Sequence, residues 1–300
     1  MAGAFTVVSL SQLPAPNVVE ALDFETILAA MIADLQERDP TFTAMVESDP
    51  AYKVLEVCAY RELLMRQRVN EAAKAVMLAY ATGADLDQLG ANVNVERRTI
   101  TPADPDAVPP VPAVMESDEE FRARIQLSPE AYTTAGSEGS YVFHALGADA
   151  DVKDVQPVSP TPGVVVVYVL SRTDDGTASE SLLNKVDATL NAETVRPMTD
   201  QVQVQSANIV PYTIEAELTM YPGPDATVVL QSAIDAVTEY AETQRRIGYD
   251  VTLSGLYHAL HQPGVQNVNL ISPASTLVIG DGQASYCTNI NVTAAGETDV

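Results

Sequence analysis

Apolar residues recur every three or four positions through the first hundred residues and at every second position in later segments, so the chain passes from helical to strand-bearing as it runs. Phe24, Ile27, Leu28, Met31, Ile32 and Leu35 make one apolar helical face, with Asp23 placed to cap it. Further on, Ala51, Leu55, Cys58, Met65, Val69, Ala72, Val76 and Ala79 fall at alternating spacings of four and three, and only Glu62 interrupts the series. Heptads in register predict one long helix over residues 49–82 and a bundle seam rather than a short surface helix. At 1.5 Å per residue it runs about 50 Å. Asp49 is placed as its N-cap, Pro50 in its first turn and Gly83 as its stop. Residues 72–81 are apolar on nearly every side and are expected to be its most deeply buried part. A short helix carrying Leu86 and Leu89 follows.

Residues 99–115 are proline-rich and acidic, which predicts an extended, semi-rigid linker or an arm laid along a neighbour. Ser117 and Glu120 then stand in capping-box positions before a helix with Phe121 and Ile125 inward. From Gly136 the pattern turns to mixed helix and strand. Residues 164–170 are strand-like and β-branched, Thr177 and Glu180 form another capping box, and Leu182, Leu183, Val186 and Leu190 line the helix it opens. Val202 and Val204 alternate with glutamines, and Tyr212, Ile214, Ala216, Leu218 and Met220 alternate strictly, as a strand with one buried face requires. A turn at Pro222-Gly223-Pro224 leads to a helix with Leu230, Ile234, Val237 and Ala241 on one side. Arg245 and Arg246 suit its C-terminal dipole and Gly248 its stop.

An internal echo links the two halves of this region. The run Tyr141-Val142-Phe143-His144-Ala145-Leu146 resembles Gly255-Leu256-Tyr257-His258-Ala259-Leu260, and each is followed by a short valine-bearing strand ending at Ser-Pro. The fold class is therefore α+β: an N-terminal helical region (1–98), a proline-rich arm with a short helix (99–135), a middle α+β domain (136–208) and a C-terminal α+β domain (209–300).

Composition narrows the function. The formal net charge is −25, so the chain repels a phosphate backbone and direct nucleic-acid binding is not expected. Against that acidity, the long helix sets Lys53, Arg61, Arg66, Arg68 and Lys74 against Asp49, Glu56, Glu62 and Glu71. A slightly basic, apolar-striped helix in an acidic chain is suited to docking on other subunits. No apolar run is long enough to cross a bilayer, and the start lacks the positive region of a signal peptide, so membrane insertion and secretion are not expected. Cys58 and Cys287 have no metal-ligand spacing and read as small buried hydrophobes.

Candidate chemistry is sparse. There is no phosphate-loop, zinc-protease or nucleophile-elbow motif. Gly136-Ser137-Glu138-Gly139-Ser140 reads as a turn and helix cap. His258 and His261 share a helical face, but a third metal ligand at diagnostic spacing is missing. Asp85 and Asp87 read as N-capping groups, and Asp174-Asp175-Gly176 as a turn. The acid-first pairs Asp49/Lys53 and Glu62/Arg66 support the long helix. No catalytic residue, cofactor site or metal site is expected.

An ordered set of segments nevertheless resembles one family: LPAPNVVEALDFETILA (13–29), AYRELLMRQRVNEAAKAVMLAYATGADLDQLGA (59–91), ITPADP (100–105), PAVMESDEEFRARI (112–125), VLSRTDDGTASESLL (169–183), VRPMTD (195–200) and YPGP (221–224). Together they are similar to the baseplate J-like proteins of contractile tails, of the P2-like branch and related tail-like bacteriocins. The resemblance implies a non-enzymatic wedge subunit of the baseplate, assembled in the host cytoplasm. Two copies would join one smaller partner protein in a heterotrimer, with helices of all three chains in a core bundle. C-terminal domains of adjacent wedges would pair, closing a ring around the tail tube that rearranges on sheath contraction. A sheath-initiator or tube-proximal baseplate protein would be a further partner. On this reading the bundle seam, Leu55, Cys58, Met65, Val69, Ala72, Val76 and Ala79, is the partner interface, and the arm over residues 102–112 is a hinge. Two rival classes are a cell-wall glycan hydrolase using paired carboxylates and a generic helical adaptor. The absence of tryptophan and of an aromatic sugar cleft weighs against the first.

Overall fold

A computed structural model of the chain describes residues 10, 13–14, 16–42, 45–132, 136–223 and 225–297. Residues 133–135 and Pro224, which belong to segments read above, lie outside them. The described residues fall into two compact units, one within residues 10–97 and 115–126, the other within residues 98–114 and 127–297.

The first unit is helical. Helix α1 (Phe24–Arg38) is capped by Asp23, whose carboxylate accepts from the Thr26 N–H at 2.8 Å. Helix α2 (Pro50–Ala75) is capped by Asp49, accepting from the Ala51 N–H at 3.0 Å, with Pro50 opening it. Both caps were readable because a capping carboxylate acts within three residues. The two helices pack through Ile27, Leu28 and Ala59, with Phe24, Met31, Ile32, Tyr52, Leu55 and Leu63 around them.

The long helix is shorter than its apolar run predicts. It ends at Ala75, and residues 77–81 form turns in which the N–H groups of Tyr80 and Ala81 both donate to the Met77 carbonyl. Residues 72–81 are not its most buried part: Ala81 is buried, while Val76 is 70% exposed. Gly83 does not stop α2; it is the first residue of α3 (Gly83–Asn92). Asp85 and Asp87 are not capping groups either, since Thr82 holds the N-cap position without a side-chain bond and Asp87 pairs with Arg97 at 2.7 Å. Lys53 bonds Glu56 rather than Asp49, whereas the expected Glu62–Arg66 pair is present at 2.7 Å.

Helix α4 (Asp118–Leu127) is fastened to these turns by arginines. Arg122 donates to the carbonyls of Leu78 and Ala81, both at 2.7 Å, satisfying acceptors that the early end of α2 leaves behind. Arg97 bonds Asp87 and Asp118, donates to the Glu116 carbonyl at 2.8 Å, and lies 4.7 Å over the Phe121 ring. Arg124 pairs with the buried Glu116. Phe121 is fully buried, and it fits because residue 90 is glycine: a Cβ there would lie 2.5 Å from Phe121 Cζ and 2.6 Å from the Val95 carbonyl oxygen.

The second unit holds two small α+β assemblies. The proline-rich arm is not simply extended. Strands β1 (Thr99–Thr101) and β2 (Val114–Met115) pair, and between them Asp104 and Val111 exchange two backbone bonds, so the chain doubles back. Beyond it, helix α5 (Glu138–Ala148), capped by Ser137, precedes the antiparallel hairpin of β3 (Val152–Thr161) and β4 (Val164–Ser171). Helix α6 (Glu180–Leu190) then returns the chain to β5 (Gln201–Ser206), parallel to β4. Its cap is Ser179, accepting from the Leu182 N–H, and not Thr177. Tyr141, Ala145, Val155, Val167, Leu182 and Val186 fill this core.

Strand β6 (Asn208–Met220) is followed by α7 (Ala226–Gln244), α8 (Leu253–Leu260), β7 (Val265–Ser272) and β8 (Gln283–Glu297). It buries Tyr212, Ile214, Ala216, Leu218 and Met220 as the alternation predicts, against Val229, Ala233, Val237, Leu256 and Leu260. Leu230 and Ile234 are only half-buried at the edge of this core. The sheet order is β7-β6-β8, with β7 antiparallel and β8 parallel to the centre.

The echo in sequence has a structural counterpart. Each sheet has a central strand flanked by one antiparallel strand, which follows an echoed helix, and one parallel strand that comes last. In the first sheet the helix–strand unit α5–β3 precedes the central strand and its helix, β4–α6. In the second the order is exchanged, β6–α7 before α8–β7.

Replacing Gly90 with alanine is expected to lower the stability of the full chain by about 1–3 kcal/mol, because Phe121 and the Val95 carbonyl leave no room for a methyl group. Denaturant unfolding of Gly90→Ala beside the wild type measures this; an unchanged midpoint would contradict the close packing of α3 on Phe121.

Candidate assembly interface

Helix α2 carries more apolar surface than α1 can cover. Its inner face runs through Tyr52, Leu55, Ala59 and Leu63 onto α1. Met65 is six residues beyond Ala59, roughly 120° round the helix at about 100° per residue. On that second face Val54, Met65, Val69 and Val76 are 60–71% exposed, with Cys58 and Ala72 also exposed.

The predicted seam therefore divides. Leu55 faces α1 and is half-buried. Cys58, Met65, Val69 and Ala72 share the open face, and Cys58 is not the buried hydrophobe its composition class predicts. Val76 sits at the C-cap and continues that face, while Ala79 lies beyond the helix in the turns. The sequence marked the stripe but missed its context, since periodicity records which positions are apolar and not which of them a neighbouring helix reaches.

Part of the open face is shaped into a groove of about 710 Å³. Its apolar lining comes from Val57, Cys58, Met65 and Val69 on α2, Met31 on α1, and Val18 on the segment before α1. That segment is tied down by two bonds between Glu20 and Asn70: the Glu20 N–H donates to Asn70 Oδ1 at 3.0 Å, and Asn70 Nδ2 donates to the Glu20 carbonyl at 2.9 Å. Arg66 spans the rim, bonded to Glu62 at 2.7 Å and to Glu20 at 3.2 Å, and Arg61 stands beside it. Bonding to Glu62 and its charge raise the Arg66 pKa, and the rim carries paired charges of both signs, Arg61 and Arg66 with Glu20 and Glu62. An apolar floor with a charged edge is suited to receiving an amphipathic helix, with burial of the floor as the driving term. Burial of side chains such as Met65, Val69 and Val76 contributes about 1.5–3 kcal/mol each.

Among the described residues, no three His, Cys, Asp or Glu side chains are placed to hold a metal ion, and no helix is long and apolar enough to cross a membrane. His144 lies on α5 with its ring edge-on to Phe143, and burial lowers its pKa. His258 lies on α8 and His261 at that helix's C-cap.

Comparison with known proteins gives the class. The Baseplate J-like N-terminal domain matches residues 47–104, the Baseplate J-like central domain residues 133–206, and the Baseplate J-like protein C-terminal domain residues 212–293. The chain belongs to the baseplate J-like family, whose members are structural proteins of the tail baseplate. It is 49% identical to Baseplate protein J of Escherichia phage P2 over 300 residues, spanning 98% of this chain and 99% of that one. A partial structural likeness to a chain of the anti-feeding prophage baseplate covers 61% of this chain and 44% of the other, with 15% identity and a TM-score of 0.43.

An aspartate at position 65 is expected to leave the isolated chain folded, with stability changed by no more than about 0.5 kcal/mol, because that side chain meets solvent. The same substitution at fully buried Ala59 should abolish α1–α2 packing. Circular dichroism melts of Met65→Asp and Ala59→Asp distinguish the two; equal destabilisation would show that both faces are already covered within the chain.

Proposed function

We propose that the chain is a non-enzymatic wedge subunit of a contractile-tail baseplate, and that the open face of α2 is where other chains complete it. The observation carrying this reading is the exposed apolar band through Met65, Val69 and Val76, in a protein nearly half identical along its length to a phage baseplate protein. In this reading a second copy of the chain and a smaller wedge protein supply helices to a three-chain bundle. Cys58 and Ala72 lie within that contact on the open face of α2, Leu55 borders it beside α1, and Ala79 extends it into the turns beyond the helix. Residues 1–98 serve the bundle, residues 99–135 are the arm, residues 136–208 the middle domain, and residues 209–300 the domain that pairs with a neighbouring wedge. The ring so formed surrounds the tail tube, adjoins a sheath-initiating protein and rearranges when the sheath contracts, with residues 102–112 as the hinge.

The test is co-expression of the chain with the other baseplate proteins encoded beside it, followed by affinity purification. The wild type should recover the smaller partner at two copies to one. Val69→Asp and Val76→Asp should lose the partner while remaining monodisperse alone, because each would bury an unpaired charge in the bundle. Normal complex formation by both variants would remove this face from the interface.

A further inference from the structure

The two α+β domains meet across a single residue. Ala207, between β5 and β6, is 4% exposed, and its N–H donates to the Val169 carbonyl of the first sheet at 2.8 Å. The next N–H, of Asn208, donates to the Gly282 carbonyl beside the second sheet, also at 2.8 Å. The chain thus leaves one sheet and enters the other without an unbonded N–H between them. A hinge needs residues free to change φ and ψ, and this junction has none.

Side chains from both domains close around that point. Leu170 of the first domain shares a core with Ala207 and with Ile247 and Ala284 of the second, flanked by Tyr168 and Ile209. Asp154 Oδ2 on β3 accepts from the Ile247 N–H at 2.8 Å. Gln156, two residues along, accepts from the Gly282 N–H at 2.7 Å and donates to Asp281 Oδ1 at 3.1 Å. Arg245 donates to the Asp174 carbonyl at 2.7 Å, and Lys153 pairs with Glu242 at 3.0 Å. Burial pushes the Asp154 carboxyl above its ordinary range, although the N–H groups of Ile247 and Val155 pull it down. A desolvated carboxyl group is what a closed joint produces.

We infer that the two α+β domains move as one rigid block, locked by the Asp154–Ile247 and Gln156–Gly282 bonds, with no hinge at residues 206–208. The inference stands apart from the assembly reading, because it concerns contacts inside one chain. Rearrangement of the subunit then falls outside residues 136–297.

Amide hydrogen exchange of the full chain, followed residue by residue by NMR, tests it. In the wild type the N–H groups of Ile247 and Gly282 should exchange within about tenfold of the central-strand amides of β4 and β6, since opening the joint would require opening the sheets. Exchange faster than that would show the domains separating in solution and would overturn the proposal. Asp154→Ala should accelerate Ile247 and Gly282 together by about tenfold or more, whereas Asp154→Asn, which keeps a carbonyl acceptor, should accelerate neither. Acceleration of Ile247 alone would mean independent local contacts and would also count against a single block. The wild-type rates decide the matter even where Asp154→Ala fails to fold.

Discussion

A helix with apolar residues on two faces satisfies only one of them against a single partner helix, and α2 is in that position. Ala59 is sealed against Ile27 and Leu28, while Met65 and Val69, a third of a turn away, meet water. The remaining features of the first unit arrange themselves around that imbalance. Glu20 and Asn70 tie the preceding segment along α2 without covering its apolar band, and Arg66 charges the rim without closing the groove. The chain by itself is a folded part with an apolar face left in water.

The second unit shows the opposite economy of surface. Its two sheets each bury their central strands, and the joint between them is sealed by an apolar cluster, a desolvated carboxyl group and paired backbone bonds. The first unit thus leaves an apolar face in water, whereas the two sheets of the second close on one another.

Local signals were legible in the sequence and distant ones were not. Asp23, Asp49 and Ser137 act on N–H groups two or three residues away, so their capping roles follow from spacing alone. The strict alternation from Tyr212 to Met220 gave the buried face of β6 because period two has one structural meaning. The end of α2 was misread because an apolar run is silent about helix termination. The turns after Ala75 are held by Arg122, more than forty residues downstream, and no local pattern announces such a partner. The double clamp of Arg97 on Asp87 and Asp118 was hidden for the same reason. On the candidate interface, periodicity marked Met65, Val69 and Val76 as one stripe, but only the position of α1 shows that the stripe is left open. The echo between the two halves was visible, and the exchange in the order of their units was not, since sheet order is fixed by pairing over long distances.

That exchange of order bears on how the chain is born. In the first sheet the antiparallel strand β3 is already synthesised when the central strand β4 appears, so pairing begins at once as a local hairpin. In the second, β6 leaves the ribosome first and waits for β7, and its parallel partner β8 pairs Gln283 with Asn208 only after β7 has been made. Loop closure over that separation is slow compared with a hairpin. A nascent chain interrupted before residue 283 therefore holds a long central strand with an open edge, joined without a linker to a finished domain.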